Sequence, residues 1–296
     1  MDTGSNWFAP AGKTHALFGD GSPNQTSHMI IESAGTSTDF GDMSVARSSQ
    51  PGCYHSETRG ITHCGHAGSN LNTIDYFTFE TAGNAVDFGD ATVARHGVTG
   101  MSNTVRGIGA GGHPCTNVID YVTMATAGNA TDFGDRTVSS HILGSVDNNT
   151  RGVMYGGSTC TGTRNTIDYI TIGTAGNATD FGDLNTAVWA WQGVSDAAKG
   201  VTLPYYSTNT GGYVNDMETF AIMTTGNATD FGDYTNEPRQ SGVDNAVTGV
   251  LVGGVNSLTS LEQITIQTNA NATSFSGTLT FGSNGTVHDS CIAKDT

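Results

Sequence analysis

The chain has 296 residues, of which 36% are hydrophobic and 13% charged, and its formal net charge is −16. Acidic residues outnumber basic ones 27 to 11, so the protein lacks the basic surface that nucleic acid or an anionic membrane attracts, and neither is expected as a partner. No stretch is long and apolar enough to span a membrane as a helix.

The first residues contain no basic region followed by an apolar run, so no signal peptide is expected. The first predicted strand covers residues 15–18.

The five cysteines show no even, regular spacing, and we therefore expect reduced thiols rather than a disulfide framework.

Cysteine and histidine side chains are concentrated between residues 53 and 66. Their side chains are of the type that zinc prefers. They also fall where a strand meets a loop, so a purely structural role is the alternative. The residues are Cys53, His55, His63, Cys64 and His66.

One phrase, Thr-Ala-Gly-Asn-Ala-Thr-Asp-Phe-Gly-Asp, returns along the whole chain. It is identical at 126–135 and 174–183, differs by one residue at 81–90 and 224–233, and is looser at 36–42 and 271–277. Successive copies of its Phe are 48, 45, 48, 50 and 44 residues apart. Such a period is typical of a propeller or a repeat array, and it predicts one domain over 1–296. The predicted repeats are approximately 14–58, 59–105, 106–150, 151–198, 199–246 and 247–296.

Each repeat contains the pattern of about four strands. In the third repeat, 106–112 is a short apolar strand that ends in two glycines, and 117–124 alternates β-branched and polar residues. A Gly-Asn turn at 128–129 leads to a third strand around Phe133, and a fourth segment corresponds to 92–95 of the second repeat. Four strands in about 46 residues are typical of one propeller blade.

The fourth and fifth repeats carry the most divergent loops, at 158–164 and 206–213, and they also contain two tryptophans. A constant scaffold with diversified loops is how binding surfaces are commonly built. Aromatic rings beside polar residues can stack on sugars or anchor a protein partner, although packing within the blade is the alternative. The predicted binding residues are Trp189, Trp191, Tyr205, Tyr206, Tyr213 and Arg164.

The repeated phrase also places pairs of aspartates on either side of Phe-Gly. Repeated Asp-rich turns can supply oxygen ligands to Ca²⁺. Alternatively, the acids close turns or pair with the recurring Arg59, Arg106, Arg151 and Lys199. Apart from Ca²⁺, no cofactor is expected. The candidate calcium ligands are Asp132, Asp135, Asp180, Asp183, Asp230 and Asp233.

The order of Arg, apolar strand with Gly-Gly, variable loop, Asp-Tyr strand, turn and bulky aromatic resembles the kelch repeat, with Phe in place of the usual Trp. The phrases at 167–172 and 176–183 are similar to repeats in proteins encoded by marine and cyanobacterial bacteriophages. The resemblance implies an all-β, six-bladed kelch-like β-propeller with four-stranded antiparallel blades.

The last predicted strand, 287–292, begins about where a further repeat would start. We therefore expect both chain ends to complete one blade and close the ring without an unpaired edge. An open solenoid, which needs capping repeats, is the alternative.

The same resemblance implies a non-enzymatic structural or appendage protein of a phage virion. Its expected partners are host cell-surface glycan or other virion proteins, with further copies of the chain in the assembly. Two alternatives stay open. One is a kelch-type oxidase or lyase-like enzyme with its site at the mouth of the propeller channel, and the other is a soluble protein–protein interaction module.

Overall fold

The computed structural model describes residues 14–20, 24–33, 35–47, 51–79, 81–235, 241–252, 261–277 and 287–294. Within these residues the protein is all-β, with antiparallel strand pairs throughout, as predicted. The single helical element among them is a 3₁₀ turn at Ile31–Ser33. None of the described segments forms a helix that could cross a membrane.

The described strands are numbered in chain order. They are β1 (Thr14–Asp20), β2 (Gln25–Ile30), β3 (Thr38–Asp42), β4 (Gly52–His55), β5 (Arg59–His63), β6 (Leu71–Thr78), β7 (Val86–Arg95), β8 (Thr99–Ser102), β9 (Arg106–Ala110), β10 (Thr116–Thr123), β11 (Thr131–Ser140) and β12 (Gly144–Asp147). They continue with β13 (Arg151–Tyr155), β14 (Arg164–Thr171), β15 (Thr179–Ser195), β16 (Lys199–Ser207), β17 (Gly212–Tyr213), β18 (Asp216–Ala221), β19 (Thr229–Asp233), β20 (Ser241–Asp244), β21 (Thr248–Val252), β22 (Leu261–Thr265), β23 (Thr273–Ser274) and β24 (Val287–Lys294).

The strands form five hydrogen-bonded sheets. Four of these have four strands each, in the orders β24-β1-β2-β3, β4-β5-β6-β7, β8-β9-β10-β11 and β20-β21-β22-β23. The fifth has eight strands, because the long strand β15 pairs with β14 through residues 179–188 and with β16 through residues 189–195.

One strand of each sheet, and one of each half of the eight-stranded sheet, lies beside its counterpart in the next. Strand β4 contacts β8, β8 contacts β12, β12 contacts β15, and β15 contacts β20. Strand β24 contacts both β20 and β4, and it pairs antiparallel with β1. The expected pairing between the two ends of the chain is therefore present.

One detail of the predicted repeat is wrong. The segment around Phe88 and the segment 92–95 were expected to be separate strands, but they form the single strand β7, and β11 is its counterpart. The fourth strand of each sheet is instead the one that precedes the Arg-Gly strand, such as β8 before β9. The sheets therefore begin one strand earlier than the repeats drawn from the sequence.

The hydrophobic core lies between neighbouring sheets. Met101, Ile108 and Phe133 of one sheet pack with Met154 and Ile170 of the next, and all five side chains are buried. Each such side chain contributes about 1.5–3 kcal/mol when it is removed from water. The Phe of the repeated phrase is buried at positions 40, 88, 133, 181 and 231 and partly buried at Phe275.

The repeated phrase forms a link between adjacent repeats. The N–H of Gly176 donates to the carbonyl of Phe133 at 2.7 Å, and the side-chain oxygen of Asn177 accepts from the N–H of Asp135 at 3.0 Å. Gly134 has a φ of +144°, and a Cβ there would lie 2.6 Å from the carbonyl oxygen of Gly176. The Gly in Phe-Gly-Asp is thus required because the next repeat approaches its backbone directly. The same Asp–Asn contact recurs at Asp42–Asn84, Asp90–Asn129, Asp183–Asn227 and Asp233–Asn271.

The buried acids of the Asp-Tyr strands pair with arginines other than the recurring ones expected from the sequence. The ion pairs are Arg47–Asp75, Arg95–Asp120 and Arg136–Asp168, and all these side chains are buried. The expected partners Arg59, Arg106 and Arg151 instead lie over the rings of Tyr76, Tyr121 and Tyr169, at 4.6, 4.6 and 4.0 Å. Lys199 similarly lies 5.0 Å from the ring centre of Phe231.

The expectation of reduced cysteines is also wrong. Cys115 and Cys160 form a disulfide, and Cys53 is disulfide-bonded as well, whereas Cys64 is free and buried. Cys115 and Cys160 are 45 residues apart, which is one repeat. They therefore occupy corresponding loops of neighbouring repeats, and these loops lie next to each other.

Candidate functional site

The segments that depart most from the repeat meet on one side of the molecule. They include the loops at 64–70, 111–115 and 156–163, the end of β16 with the segment that follows it to 215, and the connections between sheets at 96–98 and 141–143. Contacts between Asn70 and His113, Cys115 and Cys160, and Thr163 and Thr208 join the successive segments. His96 pairs with His113 and His141 pairs with Ser158 through backbone bridges, so each connection lies against a loop. We call these segments the variable face.

Five of the six predicted binding residues form one aromatic cluster on this face. Trp189 lies opposite Tyr206 across strands β15 and β16, with ring centres 4.9 Å apart. Tyr213 lies opposite Tyr206 on the other side, at 5.8 Å, and is 5.3 Å from Tyr205. Trp191 completes the cluster through an edge contact with Tyr205 at 5.7 Å. The five side chains that the sequence singled out are thus brought together.

The cluster exists because the fifth repeat lacks the glycine pair. In the fourth repeat Gly156 and Gly157 adopt φ values of +64° and +99° and turn the chain away after the five-residue strand β13. The corresponding strand β16 has nine residues and continues through Tyr205 and Tyr206 to Ser207. The extra length holds two tyrosines beside the tryptophans of β15, where other repeats have a turn.

The cluster has one well-exposed ring and several exposed polar neighbours. Tyr213 retains 55% of its accessible surface, whereas Trp189 and Trp191 are half-buried. Neither indole N–H has a hydrogen-bond partner among the described residues. Thr208 lies in the exposed turn before Tyr213 and contacts Thr163 of the preceding loop, with 2.9 Å between the hydroxyl oxygens.

Arg164 lies at the margin of the cluster rather than within it. It is exposed, lies opposite Val188 in the strand register, and directs its guanidinium to the carbonyl of Thr163 at 3.5 Å. In the strand register Arg164 is one position away from Trp189, whose own partner in β16 is Tyr206.

A row of four histidines occupies the rest of the variable face. Ring centres are separated by 5.2 Å between His66 and His96, 4.8 Å between His96 and His113, and 5.3 Å between His113 and His141. Burial, followed by the neighbouring His113, His66 and His141, lowers the pKa of His96 to about 4. Burial and His113 also lower the pKa of His141.

The zinc set expected between residues 53 and 66 is not assembled. Cys53 is disulfide-bonded, and Cys64 is buried in the hydrophobic core. His63 is fully buried, with Nδ1 2.9 Å from the Tyr54 hydroxyl and Nε2 3.1 Å from Asp120. Among the described residues, the one group of three or more acidic, His or Cys side chains close enough to share an ion is Cys115, His141 and Cys160. Sequence reasoning missed this group, although the 45-residue spacing of its cysteines was a usable signal.

The predicted calcium ligands lie two to a strand, in β11, β15 and β19. Asp132, Asp135, Asp180, Asp183 and Asp230 are exposed, and Asp233 is half-buried. None of the six joins a group of three ligands in the described part of the chain. In the fifth repeat, burial and the nearby Asp230 and Asp233 raise the pKa of Asp216 to about 6. Asp135, Asp183 and Asp233 donate their backbone N–H groups to the asparagine of the next repeat, which leaves their carboxylates outside these links.

A cavity of about 70 Å³ lies at the C-terminal ends of β4, β12, β15 and β20. Its lining includes His55, Asp147, Asp196 and Asp244. Burial and the nearby Asp244 raise the pKa of Asp147 to about 7, and the hydrogen bond from the N–H of Ser102 partly opposes this rise. Both carboxylates accept backbone N–H groups, Asp147 from Ser102 at 2.9 Å and Asp244 from Ser195 at 3.0 Å. Such bonds join neighbouring strands, which is a structural role.

A scan against protein-family models finds no match, and a search of curated proteins finds no similar sequence. The resemblance to kelch repeats and to phage-encoded repeats therefore stays a prediction.

Proposed function

We propose that this protein is a six-bladed, kelch-like β-propeller that binds glycan on the surface of a host cell as a non-enzymatic part of a phage particle. The six-bladed architecture is supported by counting β15 twice, since its two parts pair with different strands and divide the eight-stranded sheet into two units. It is further supported by the contacts that lead from β4 through β8, β12, β15 and β20 to β24 and back to β4.

The observation that carries the binding function is the aromatic cluster of Trp189, Trp191, Tyr205, Tyr206 and Tyr213. It breaks the repeat, and its outermost ring, Tyr213, is exposed. An exposed ring held rigidly by other rings offers a flat apolar surface at low entropic cost. The apolar face of a sugar can stack on such a ring, while nearby Thr and Asn groups bond its hydroxyls.

Placement outside the cell is supported by the disulfide chemistry. Disulfides such as Cys115–Cys160 persist in oxidising surroundings and are rare where thiol reductants are abundant. The low content of basic residues also suits a surface protein that must avoid nucleic acid. The phage assignment itself rests on the resemblance of the repeated phrases.

The binding proposal is tested on a panel of bacterial surface polysaccharides. The wild-type chain is expected to bind at least one of them, and Tyr213→Ala is expected to weaken that binding about tenfold, which is ~1.4 kcal/mol. Tyr213→Phe retains the ring and should bind nearly as well. Val247→Ala, at another exposed apolar position, is the matched control for surface change.

Two results would contradict the proposal. One is unchanged binding by Tyr213→Ala with an intact fold, and the other is cleavage or oxidation of the bound polysaccharide, which would favour the enzyme alternative. The particle assignment is tested separately by mass spectrometry and antibody labelling of purified phage. Absence of the protein from purified particles, together with capture of a protein partner, would favour the interaction module instead.

A further inference from the structure

Cys115, His141 and Cys160 come from three different segments of the variable face. Cys115 follows strand β9, His141 follows β11, and Cys160 follows β13. The Nδ1 atom of His141 lies 3.2 Å from the Cys115 sulfur and 3.9 Å from the Cys160 sulfur. It also lies 3.1 Å from the carbonyl oxygen of Ser158. The imidazole nitrogen therefore faces both sulfurs of the disulfide.

These distances suit a tetrahedral zinc ion. Zinc bonds of about 2.3 Å to sulfur and 2.0–2.1 Å to nitrogen place the two ligand atoms about 3.6 Å apart. The two sulfur–nitrogen distances lie on either side of this value. The sulfurs must separate to about 3.8 Å once the disulfide opens, because both then bond to the same ion. The Cα atoms of the cysteines are 6.1 Å apart, and both side chains lie in loops, Cys160 being exposed.

We propose that the reduced form of this protein binds one Zn²⁺ through the thiolates of Cys115 and Cys160 and Nδ1 of His141. A dithiol reductant supplies two electrons and two protons, the sulfur–sulfur bond breaks, and the reductant leaves as its own disulfide. Zinc then displaces one proton from each thiol, and water takes the fourth position on the exposed side.

The ligand set selects this class of metal. Two thiolates and an imidazole are soft or borderline donors, which bind zinc and similar transition metals in preference to Ca²⁺ or Mg²⁺. The disulfide and the metal are mutually exclusive uses of the same two sulfurs. In reducing surroundings the ion joins the neighbouring loops, and in oxidising surroundings the covalent bond does.

The inference is tested on the full chain, purified with its disulfides intact and after reduction by a phosphine and removal of the reductant. Bound zinc is measured by elemental analysis after equilibration with Zn²⁺ and desalting. We expect one zinc per reduced chain and none in the oxidised chain. Substituting Co²⁺ should produce thiolate-to-cobalt charge-transfer absorption in the reduced form.

The variants His141→Ala and Cys160→Ser are expected to lose this zinc. His66→Ala removes a histidine from the far end of the same row, and Cys53→Ser removes another cysteine that reduction sets free, and both should keep it. Far-UV circular dichroism checks that each protein is folded. X-ray absorption of the wild-type zinc complex should show two sulfur neighbours, a readout that does not depend on any variant.

The proposal is overturned if the reduced, folded wild type binds no zinc, if its zinc has fewer or more than two sulfur neighbours, or if folded His141→Ala and Cys160→Ser bind zinc as the wild type does. It is equally overturned if Cys53→Ser alone abolishes binding. None of these results bears on the glycan proposal, which concerns a different cluster.

Discussion

Arg95 and Asp120 form an ion pair between two sheets, with 2.5 Å between Nη2 and Oδ1 and no exposed surface on either side chain. Arg95 ends β7, whereas Asp120 lies in the middle of β10. The other carboxylate oxygen accepts from the N–H and the hydroxyl of Thr92, at 3.0 and 2.7 Å. The acid is therefore held by three residues of the preceding repeat, Thr92, Arg95 and His63, the last with Nε2 3.1 Å from Oδ1.

We predict that Arg95→Met lowers the free energy of unfolding by about 3 kcal/mol or more, because it removes one of the two cations, Arg95 and His63, that face the buried carboxylate of Asp120. The double variant Arg95→Met, Asp120→Leu should recover much of this loss, since the buried carboxylate is then gone and His63 can become neutral. Denaturant unfolding of the single and double variants measures both effects. Arg164→Met, at an exposed position, should change stability by less than about 0.5 kcal/mol. Simple additivity of the two single substitutions would contradict the prediction.

The second prediction concerns His63. Burial disfavours its charged form, but Tyr54, Cys64 and Asp120 outweigh this, and its pKa is raised well above the usual value. A histidine with a raised folded-state pKa contributes stability that is fully present below about pH 6.5 and is lost as the pH rises through the folded-state value. His63→Gln should therefore remove part of the fall in melting temperature at alkaline pH.

His96 serves as the control of opposite sign. Its pKa is lowered to about 4, so the stability linked to this ring is lost as the pH falls from about 6.5 towards 4. His96→Gln should change the acid side of the melting profile and leave the alkaline side unchanged. If His63→Gln instead alters only the acid side, the assignment of a charged His63 is wrong.

The third prediction uses two glycines that face each other across a sheet boundary. Gly134→Ala should destabilise the protein by about 2 kcal/mol or more, because φ is +144° and the new Cβ would meet the Gly176 carbonyl at 2.6 Å. Gly176→Ala is the matched control, since a Cβ there meets nothing within 4 Å. Both are compared by denaturant unfolding, and equal effects would show that the close approach is not what requires Gly134.

The fourth prediction concerns Asp147, whose pKa is raised to about 7. An acid with a raised folded-state pKa disfavours the folded state as it ionises, so this residue lowers stability as the pH rises from about 4 through 7. Asp147→Asn keeps an acceptor for the N–H of Ser102 and removes the charge. It should raise the melting temperature at pH 8 by about 2–4 °C and have little effect at pH 4. Asp135→Asn, at an exposed acid, should show no such dependence on pH, and an equal gain at both pH values would exclude the electrostatic explanation.

Much of the fold follows from the sequence because its signals are local. Alternating β-branched residues such as those of β10 and β14 favour strands, and Gly-Gly and Gly-Asn favour turns, whatever lies nearby. Repetition then places corresponding residues in corresponding surroundings. The departures from the repeat also pointed to the aromatic cluster, since residues that the scaffold does not require stand out against five other copies.

The partners of charged and sulfur-containing side chains depend on how neighbouring sheets are placed against each other. Local sequence gave no reason to prefer Arg95 over Arg106 as the partner of Asp120, or to place His141 beside Cys115 and Cys160. Strand propensity acts over a few residues, whereas the offset between two packed sheets is set by the sum of their buried contacts. The chain alone thus determined which segments are strands and which loops are unusual, and only the packing of sheet on sheet decided which side chains meet.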